Sequence, residues 1–322
     1  QNLEILNHAH VLKIVISGNK AIGVIYSING KRHTAMCDAE IILSAGSINT
    51  PKILNLSGIG DPDELNKLGI KTNIANKNIG KNLQDHLTVN ISATVEGHST
   101  FYEELRGLNV IKHLINYYRN KPSLFSYAAA DVGVFFKLDE SSQNPDFQIH
   151  FAPGAGQYHK DGKMRPISGI TASVCQLRPF SRGSVKLQTA NYEDDPIIDY
   201  GYLNDSRDTK ILLKGIKIVR QFFKTTVMNN LNAKEVAPGI DVTNDAELEK
   251  FLKATALSVY HPVGTCKMGL DSTSVVDPEL RVHGVEGLRV ADASILPQLI
   301  SGNTNAICNV IGVKCADMVE RN

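Results

Sequence analysis

The stretch Glu40–Gly60, EIILSAGSINTPKILNLSGIG, decides the fold of the N-terminal part of this chain. It begins with a short apolar run, as a buried strand does, and passes through a glycine turn at Gly46. Thr50-Pro51 has the chemistry of a helix N-cap and first helical position, and Ser57-Gly58 is typical of a helix end. The stretch therefore predicts a strand, a glycine turn and a helix that opens at Thr50. The turn is a candidate place for a diphosphate or a ring edge, but glycines that merely permit a tight turn explain it equally well.

The rest of the chain alternates between two kinds of pattern. Strand patterns bounded by turns occupy the first 45 residues, and Asn29-Gly30 is a strong hairpin signal. From residue 87 to about residue 250, alternating strands are mixed with amphipathic helices, which indicates an antiparallel sheet backed by helices. Residues 153–166 lack either pattern and predict a long loop. The last part predicts the strand Leu288–Asp292 and a helix from Asn305.

Composition excludes several classes of function. The chain has 322 residues, is 42% apolar and 21% charged, and carries a net charge of +1. This is an ordinary globular composition without the charge excess that marks nucleic-acid or anionic-membrane binding. No apolar run is long enough to span a bilayer, and the five cysteines show no metal-site spacing, so we expect no membrane span and no metal. Three Asn-x-Ser sequons permit secretion, and we expect an extracellular location.

Two distant turns carry residues suited to redox or proton-transfer chemistry. Tyr260–Thr265 places a histidine before Pro and Gly, and Ser301–Asn305 places two carboxamides on another glycine turn. A base and a hydrogen-bond donor that meet this way can take a proton from an alcohol. The alternative is a buried turn histidine together with asparagines that hydrogen-bond their own backbone. Spacing alone favours this alternative.

A set of ordered motifs resembles the glucose-methanol-choline (GMC) family of FAD-dependent oxidoreductases, with its glucose-dehydrogenase-like and choline-dehydrogenase-like branches. The set comprises Gly46–Gly60, Asn78–His86, Arg178–Gly183, Tyr260–Thr265 and Ser301–Asn305. The resemblance implies an α/β (α+β) fold with a partial FAD-binding domain of GMC type and an antiparallel-sheet substrate-binding domain backed by helices. It implies FAD-binding segments at residues 1–86 and 253–322, around a substrate-binding domain at residues 87–252.

The resemblance also implies a site. His261 is expected to act as the base while hydride passes from an alcohol or sugar hydroxyl carbon to flavin N5, and Asn303 to hold the substrate oxygen. Electrons then pass to a quinone or to oxygen. The residues expected to contact FAD are Val11, Ala45, Gly46, Asp292, Ala293, Thr304 and Asn305.

One family feature is missing from these residues. The G-x-G-x-x-G dinucleotide fingerprint does not occur, and the chain does not start with Met. We therefore expect the C-terminal part of a GMC protein that binds FAD weakly or not at all by itself. A non-catalytic GMC-like binding or structural protein, or an inactive fragment, is the alternative function. A serine hydrolase is excluded because no G-x-S-x-G elbow occurs.

Overall fold

The computed structural model describes residues 2–128, 130, 132–158 and 164–321. The chain divides into two compact units. The first unit comprises Gln1–Asp85, Ser181–Asn204 and Tyr260–Asn322, and the second comprises His86–Phe180 and Asp205–Val259.

The described residues form seventeen strands, eight α-helices and two short 3-10 turns. The strands are β1 His10–Ser17, β2 Lys20–Ile28, β3 Lys31–Met36, β4 Ile41–Leu43, β5 Ile59–Gly60, β6 Ile74–Ala75, β7 Leu87–Thr94, β8 Val132–Phe136, β9 Phe147–Ala152, β10 Ala155–Tyr158, β11 Met164–Ile167, β12 Gly169–Gln176, β13 Ser184–Lys186, β14 Ile197–Asp199, β15 Lys234–Ala237, β16 Leu257–Ser258 and β17 Leu288–Val290. The α-helices are α1 Gly46–Leu56, α2 Pro62–Lys67, α3 Phe101–Glu104, α4 Gly107–Tyr118, α5 Ser206–Phe222, α6 Thr226–Asn230, α7 Asp245–Thr255 and α8 Thr304–Glu320. Short 3-10 turns lie at Leu124–Ser126 and Ala293–Ile295.

The first unit is built from small sheets packed around α1 and α8. Strands β1, β2 and β3 form an antiparallel sheet, with the Asn29-Gly30 turn joining β2 to β3 as predicted. Strands β4 and β17 pair in parallel, with Leu288 opposite Ile41. Helix α1 packs against β1, β5 and β13. Apolar side chains from these elements and from α8 form one continuous core.

The second unit is an antiparallel sheet backed by helices, as the sequence predicts. The strand order is β15-β7-β12-β9-β8, and β16 also pairs with β7. Along β7 the apolar residues Val89 and Ile91 are fully buried, and they alternate with polar residues. Helices α5 and α7 pack on this sheet, with Leu212 and Ile216 of α5 fully buried. The mixed α+β fold class of the prediction is confirmed.

The segment Ser181–Asn204 differs from the predicted domain pattern. It lies inside the predicted second domain, residues 87–252, but it packs with the first unit. Backbone hydrogen bonds explain this, because Val185 N donates to Gly80 O at 2.7 Å and Gly183 N donates to Leu83 O at 2.8 Å. The functions assigned to the two domains stay predictions.

Two local predictions are wrong. Helix α1 begins at Gly46, not at Thr50, and Pro51 lies inside it. The Thr50 hydroxyl instead accepts from Ala45 N and donates to Asp292 Oδ2, a partner 242 positions away. Residues 153–166, predicted as a loop, contain the hairpin strands β10 and β11; residues 159–163 of that loop lie outside the described residues.

Within the residues that the structure describes, no helix combines the length and the apolar character needed to cross a membrane.

Glycines in two helices give a paired test of the packing. A Cβ at Gly215 of α5 would lie 2.5 Å from Val174 Cγ1 and 3.2 Å from Phe147 Cε1, so Gly215→Ala should destabilise by about 1–3 kcal/mol through overpacking. At Gly312 of α8 a Cβ meets nothing within 4 Å, and Gly312→Ala should stabilise by about 0.5–1 kcal/mol. Urea unfolding of both variants measures the two effects. Shifts of the same sign would contradict the packing described for α5.

Candidate active site

The segment Asn82–Asp85, here called the clamp segment, holds two distant loops of the first unit. Its Gln84 backbone exchanges two hydrogen bonds with Val263, at 3.0 and 2.8 Å. The Gln84 side chain is 2% exposed, accepts from Leu299 N at 3.1 Å and donates to Pro297 O at 3.2 Å. One residue thus fastens the loop of His261 and the segment that leads into Ser301–Asn305. These are the two turns that the sequence singled out.

The clamp segment also requires a glycine in the loop that it holds. Asn82 has a left-handed backbone (φ 61°), and its Nδ2 donates to Gly264 O at 3.2 Å. Gly264 has φ +93°, and a Cβ there would lie 2.6 Å from Asn82 O. No other residue fits at position 264 without a shift of the backbone, so Gly264 sets the close approach of the two segments.

A buried carboxylate holds the backbone of the proposed base. Asp85 is 3% exposed, and its Oδ1 accepts from the His261 backbone N–H at 2.8 Å. The Tyr202 hydroxyl donates to Asp85 Oδ2 at 2.5 Å. Tyr260, just before His261, is highly exposed and left-handed, with φ 62°. A bulky residue in that conformation is uncommon and marks a locally strained turn.

Burial and the charge of Asp85 shift the pKa values of two groups in this cluster. Burial lowers the pKa of His261 below its usual 6.5, and the Asp85 charge opposes this in part. His261 is therefore predominantly an unprotonated imidazole at neutral pH, which is the form that can accept a proton. Burial raises the pKa of Tyr200, and the Asp85 charge and Tyr260 add to the effect. Its ring stacks on Tyr202 with 4.8 Å between centroids and 2° between planes.

Asp292 joins the end of β17 to the start of α1. Its Oδ2 accepts from Gly46 N at 2.9 Å and from Thr50 Oγ1 at 2.6 Å, and its Oδ1 accepts from Ser294 N at 2.8 Å. The predicted residues Gly46 and Asp292 are thus in direct contact. A carboxylate thus accepts the Gly46 N–H and brings negative charge to the start of α1. The hypothesis of a diphosphate or a ring edge at this turn stays a prediction.

The other residues expected to contact the substrate or FAD also belong to the first unit. Ala293 O accepts from Gly264 N at 3.3 Å, which links the loop of His261 to the turn Ala293–Ile295. Helix α8 packs against that same turn. Asn303 is the N-cap residue of α8, and its side chain makes no cap hydrogen bond. The Asn305 side chain accepts from Asn309 Nδ2 at 2.7 Å, and Thr304 opens the helix.

A small cavity brings Val11 and Ala45 together. Its volume is about 250 Å³, and His10 and Tyr192, whose rings meet edge to face at 5.3 Å, also line it. Beside it, a Cβ at Gly46 would meet nothing within 4 Å, so the turn leaves open space. Ser47 Oγ is buried and has no hydrogen-bond partner among the described residues. Two of the residues expected to contact FAD, Val11 and Ala45, therefore line one cavity, and its role in holding FAD stays a prediction.

Sequence reasoning missed Gln84, Asp85, Tyr200 and Tyr202. The first two lie in the motif Asn78–His86, which was quoted for the family resemblance without a role for any residue. The spacing of the tyrosines is visible in the sequence, but their partner Asp85 lies 117 positions from Tyr202. Across the part of the chain that is described, no group of three or more His, Cys, Asp or Glu side chains is placed to hold a metal.

Comparison with known proteins gives matches along almost the whole chain. Family models described as GMC oxidoreductase match residues 1–88 and residues 179–312. An alcohol dehydrogenase [acceptor] of Pseudomonas putida is 39% identical, over 99% of this chain and 58% of its own length. The mitochondrial choline dehydrogenase of Homo sapiens is 36% identical, over 99% of this chain and 54% of its own. The chain thus spans little more than half the length of these curated relatives.

Solved structures give the same picture of the fold. A formate oxidase of Aspergillus oryzae, studied for its FAD modification, superposes with a TM-score of 0.90 at 26% identity, over 97% of this chain and 60% of that one. An FAD-dependent oxidoreductase of Chaetomium thermophilum superposes with a TM-score of 0.88 at 26% identity, over 98% of this chain and 61% of that one.

The state of His261 can be measured directly. In histidine-labelled protein, an NMR pH titration should place its midpoint below 6.5, because burial disfavours the imidazolium. Asp85→Asn removes the charge that raises this pKa, and the midpoint should fall further. The exposed Asp195→Asn is the control and should leave it unchanged. A midpoint above 6.5 in the unaltered protein would overturn this account of the cluster.

The clamp segment can be tested through the Gln84 side chain. Gln84→Met keeps the approximate volume but leaves the backbone N–H of the buried Leu299 without its acceptor, and a buried unsatisfied group costs about 1–3 kcal/mol. The carbonyl of the exposed Pro297 keeps a second donor, Asn82 Nδ2 at 3.4 Å. The same change at the exposed Gln221 should stay within about 0.5 kcal/mol of zero. Urea midpoints of the two variants compare these effects. Equal stabilities would show that the Gln84 side chain does not anchor the segment 297–299.

Proposed function

The chain belongs to the GMC oxidoreductase family, and on that premise we propose that the protein oxidises the hydroxyl-bearing carbon of a small neutral alcohol or sugar with FAD as cofactor. The proposal rests on Gln84 of the clamp segment. Its hydrogen bonds hold the loop of His261 and the segment that precedes Asn303 within one unit. The names of the relatives support the reaction class, since they include an alcohol dehydrogenase and a choline dehydrogenase.

Two side chains of this chain have roles in the proposed reaction. The neutral His261 imidazole accepts the proton of the substrate hydroxyl. The Asn303 carboxamide, which does not cap α8, donates a hydrogen bond to the substrate oxygen and holds it in line. FAD, when bound, supplies the acceptor for the hydride that leaves the carbon. The atoms balance, because the O–H proton goes to His261 and the C–H hydrogen leaves with both bond electrons.

Residues of the first unit would hold the cofactor. Val11 and Ala45 line a cavity of about 250 Å³, and we propose that it receives the adenine ring. Gly46 and Asp292 are joined by a hydrogen bond, and Ala293, Thr304 and Asn305 belong to the adjoining turn and helix start. We propose that these residues face the remainder of the FAD molecule.

The second unit contains a cavity whose lining, which includes neither His261 nor Asn303, favours a neutral ligand. Its volume is about 590 Å³, within the usual range for small-molecule sites. Polar lining comes from Asn90, Ser92 and Thr171, and apolar lining from residues such as Phe251 and Leu257. No charged side chain lines the cavity among the described residues.

An unsatisfied acceptor in this cavity points to a hydroxyl group. Asn90 Oδ1 is buried and lacks a hydrogen-bond partner among the described residues, so a ligand hydroxyl would satisfy it. A quaternary ammonium such as choline is bound by aromatic faces or carboxylates, and of these the lining offers only Phe251. We therefore propose an uncharged alcohol or sugar, and a quinone or oxygen as the final acceptor.

The base role of His261 is tested in the whole protein that contains residues 1–322. His261→Ala should lower the rate of anaerobic flavin reduction by alcohols by about 10²–10⁴-fold. Since only the neutral imidazole accepts a proton, the unaltered protein should gain activity as pH rises through a midpoint below 6.5 and then level off. The exposed His98→Ala is the matched control and should be unaffected.

Flavin content, measured by absorbance, separates loss of the base from loss of the cofactor. An unchanged reduction rate in His261→Ala with full flavin content would remove His261 from the base role. Failure of every alcohol and sugar to reduce the bound flavin would favour the non-catalytic alternative.

A further inference from the structure

Helix α4 of the second unit carries an apolar ridge that faces solvent. Leu108, Ile111, Ile115 and Tyr118 follow one another at spacings of three and four, so they lie on one face of the helix. Leu108 is 82% exposed, Tyr118 is 81% exposed, and the two isoleucines are about half exposed. These four residues are here called the α4 ridge. Single exposed apolar residues are ordinary, but a continuous ridge indicates a surface that something covers.

The opposite side of the helix is already fixed to the second unit. His113 Nε2 donates to Glu104 Oε2 at 2.9 Å, because its Nδ1 is taken as an acceptor by Leu124 N at 3.2 Å. The His113 backbone carbonyl accepts from the buried Ser123 hydroxyl at 2.7 Å. The helix is therefore anchored through His113, and the α4 ridge points outward as a settled feature of the fold.

Two further exposed aromatic residues, Phe125 and Tyr127, follow shortly after α4. The Phe125 ring meets the ring of His113, so it lies on the anchored side of the helix and not on the α4 ridge. Tyrosine has an apolar ring with a polar hydroxyl and is enriched where hydrocarbon meets water.

The segment that carries the α4 ridge is rich in cations, although Glu104 of α3 contacts the anchored side of the helix through His113. From Leu105 to Tyr127 the chain contains four cations and no Asp or Glu; the cations are Arg106, Lys112, Arg119 and Lys121. Lys112 and Arg119 flank the ridge along the helix, and both are exposed. Because the net charge of the whole chain is only +1, overall composition does not show that this segment is cationic.

The charges decide which partner fits. In a two-fold pairing of this face with itself, the cations of each copy would meet an equally cationic surface, which is unfavourable. An anionic bilayer instead accepts apolar side chains at the edge of its hydrocarbon, tyrosine hydroxyls at the interface and Lys or Arg at the headgroups. We propose that the α4 ridge docks this protein on the surface of an anionic lipid bilayer, without spanning it. The proposal does not depend on the role of His261 or on FAD.

Vesicle flotation tests the proposal with phosphatidylcholine vesicles, with or without phosphatidylglycerol. The protein should float with the anionic vesicles at least about tenfold more strongly than with neutral ones, and salt should weaken the binding. The triple variant L108S/I115S/Y118S should lose at least about tenfold in binding. Its control, V227S/I240S, alters two exposed apolar residues elsewhere in the same unit and should bind normally.

A second pair of variants tests the charges. K112E/R119E should lose at least about 25-fold, since each cation near the surface contributes about fivefold. K214E/K224E, at one exposed position of α5 and one shortly after it, is the matched control for net charge. Equal vesicle binding by the unaltered protein and by both α4 variants would overturn the proposal. So would the absence of vesicle binding together with a dimer that L108S/I115S/Y118S converts to monomer, because a second copy would then cover the ridge.

Discussion

The hydrogen bonds of Gln84 are the constraint on which the candidate site depends. A single carboxamide with 2% exposure fixes the segment Pro297–Leu299, while its own backbone pairs with Val263. Loops of this kind would otherwise sample many conformations, and ordering each residue has an entropic cost. Because the buried Gln84 holds both loops, folding has already ordered them before any ligand binds. Preorganisation of this sort is what positions a base and a donor toward one substrate.

Much of the fold could be read from the sequence, because it follows from local patterns. The hairpin at Asn29-Gly30, the strand β7 and the helix α5 rest on turn chemistry and on apolar periodicity, and the structure has all three. The start of α1 could not be read in this way. The Thr50 hydroxyl has cap chemistry, but a carboxylate 242 positions away recruits it, and the helix extends back to Gly46. A partner so distant leaves no mark in a local pattern.

The chemistry of the candidate site could be predicted from the sequence, but the residues that hold the site in place could not. The residue types of His261 and Asn303 suit proton transfer and hydrogen bonding, and the family resemblance gave them roles that stay predictions. Asp85 and Tyr202 carry no such signal, because an acid and a tyrosine are common and only the folded chain brings them together. The effect of Asp85 on the pKa of His261 likewise follows from position alone. The α4 ridge was visible as a helical pattern, but its exposure required the structure.

The shape of the loop that contains His261 depends on Gly264, whereas the chemistry proposed for this loop depends on His261. Its left-handed conformation and the 2.6 Å approach to Asn82 O demand glycine there, whatever stands at position 261. His261, in contrast, meets Asp85 through its backbone N–H, a hydrogen bond that any residue except proline can donate. A relative could therefore exchange the histidine and keep the loop intact. Within this family, we expect glycine at the position of Gly264 wherever the loop keeps this shape. We expect histidine three positions earlier only where the loop also takes part in the reaction.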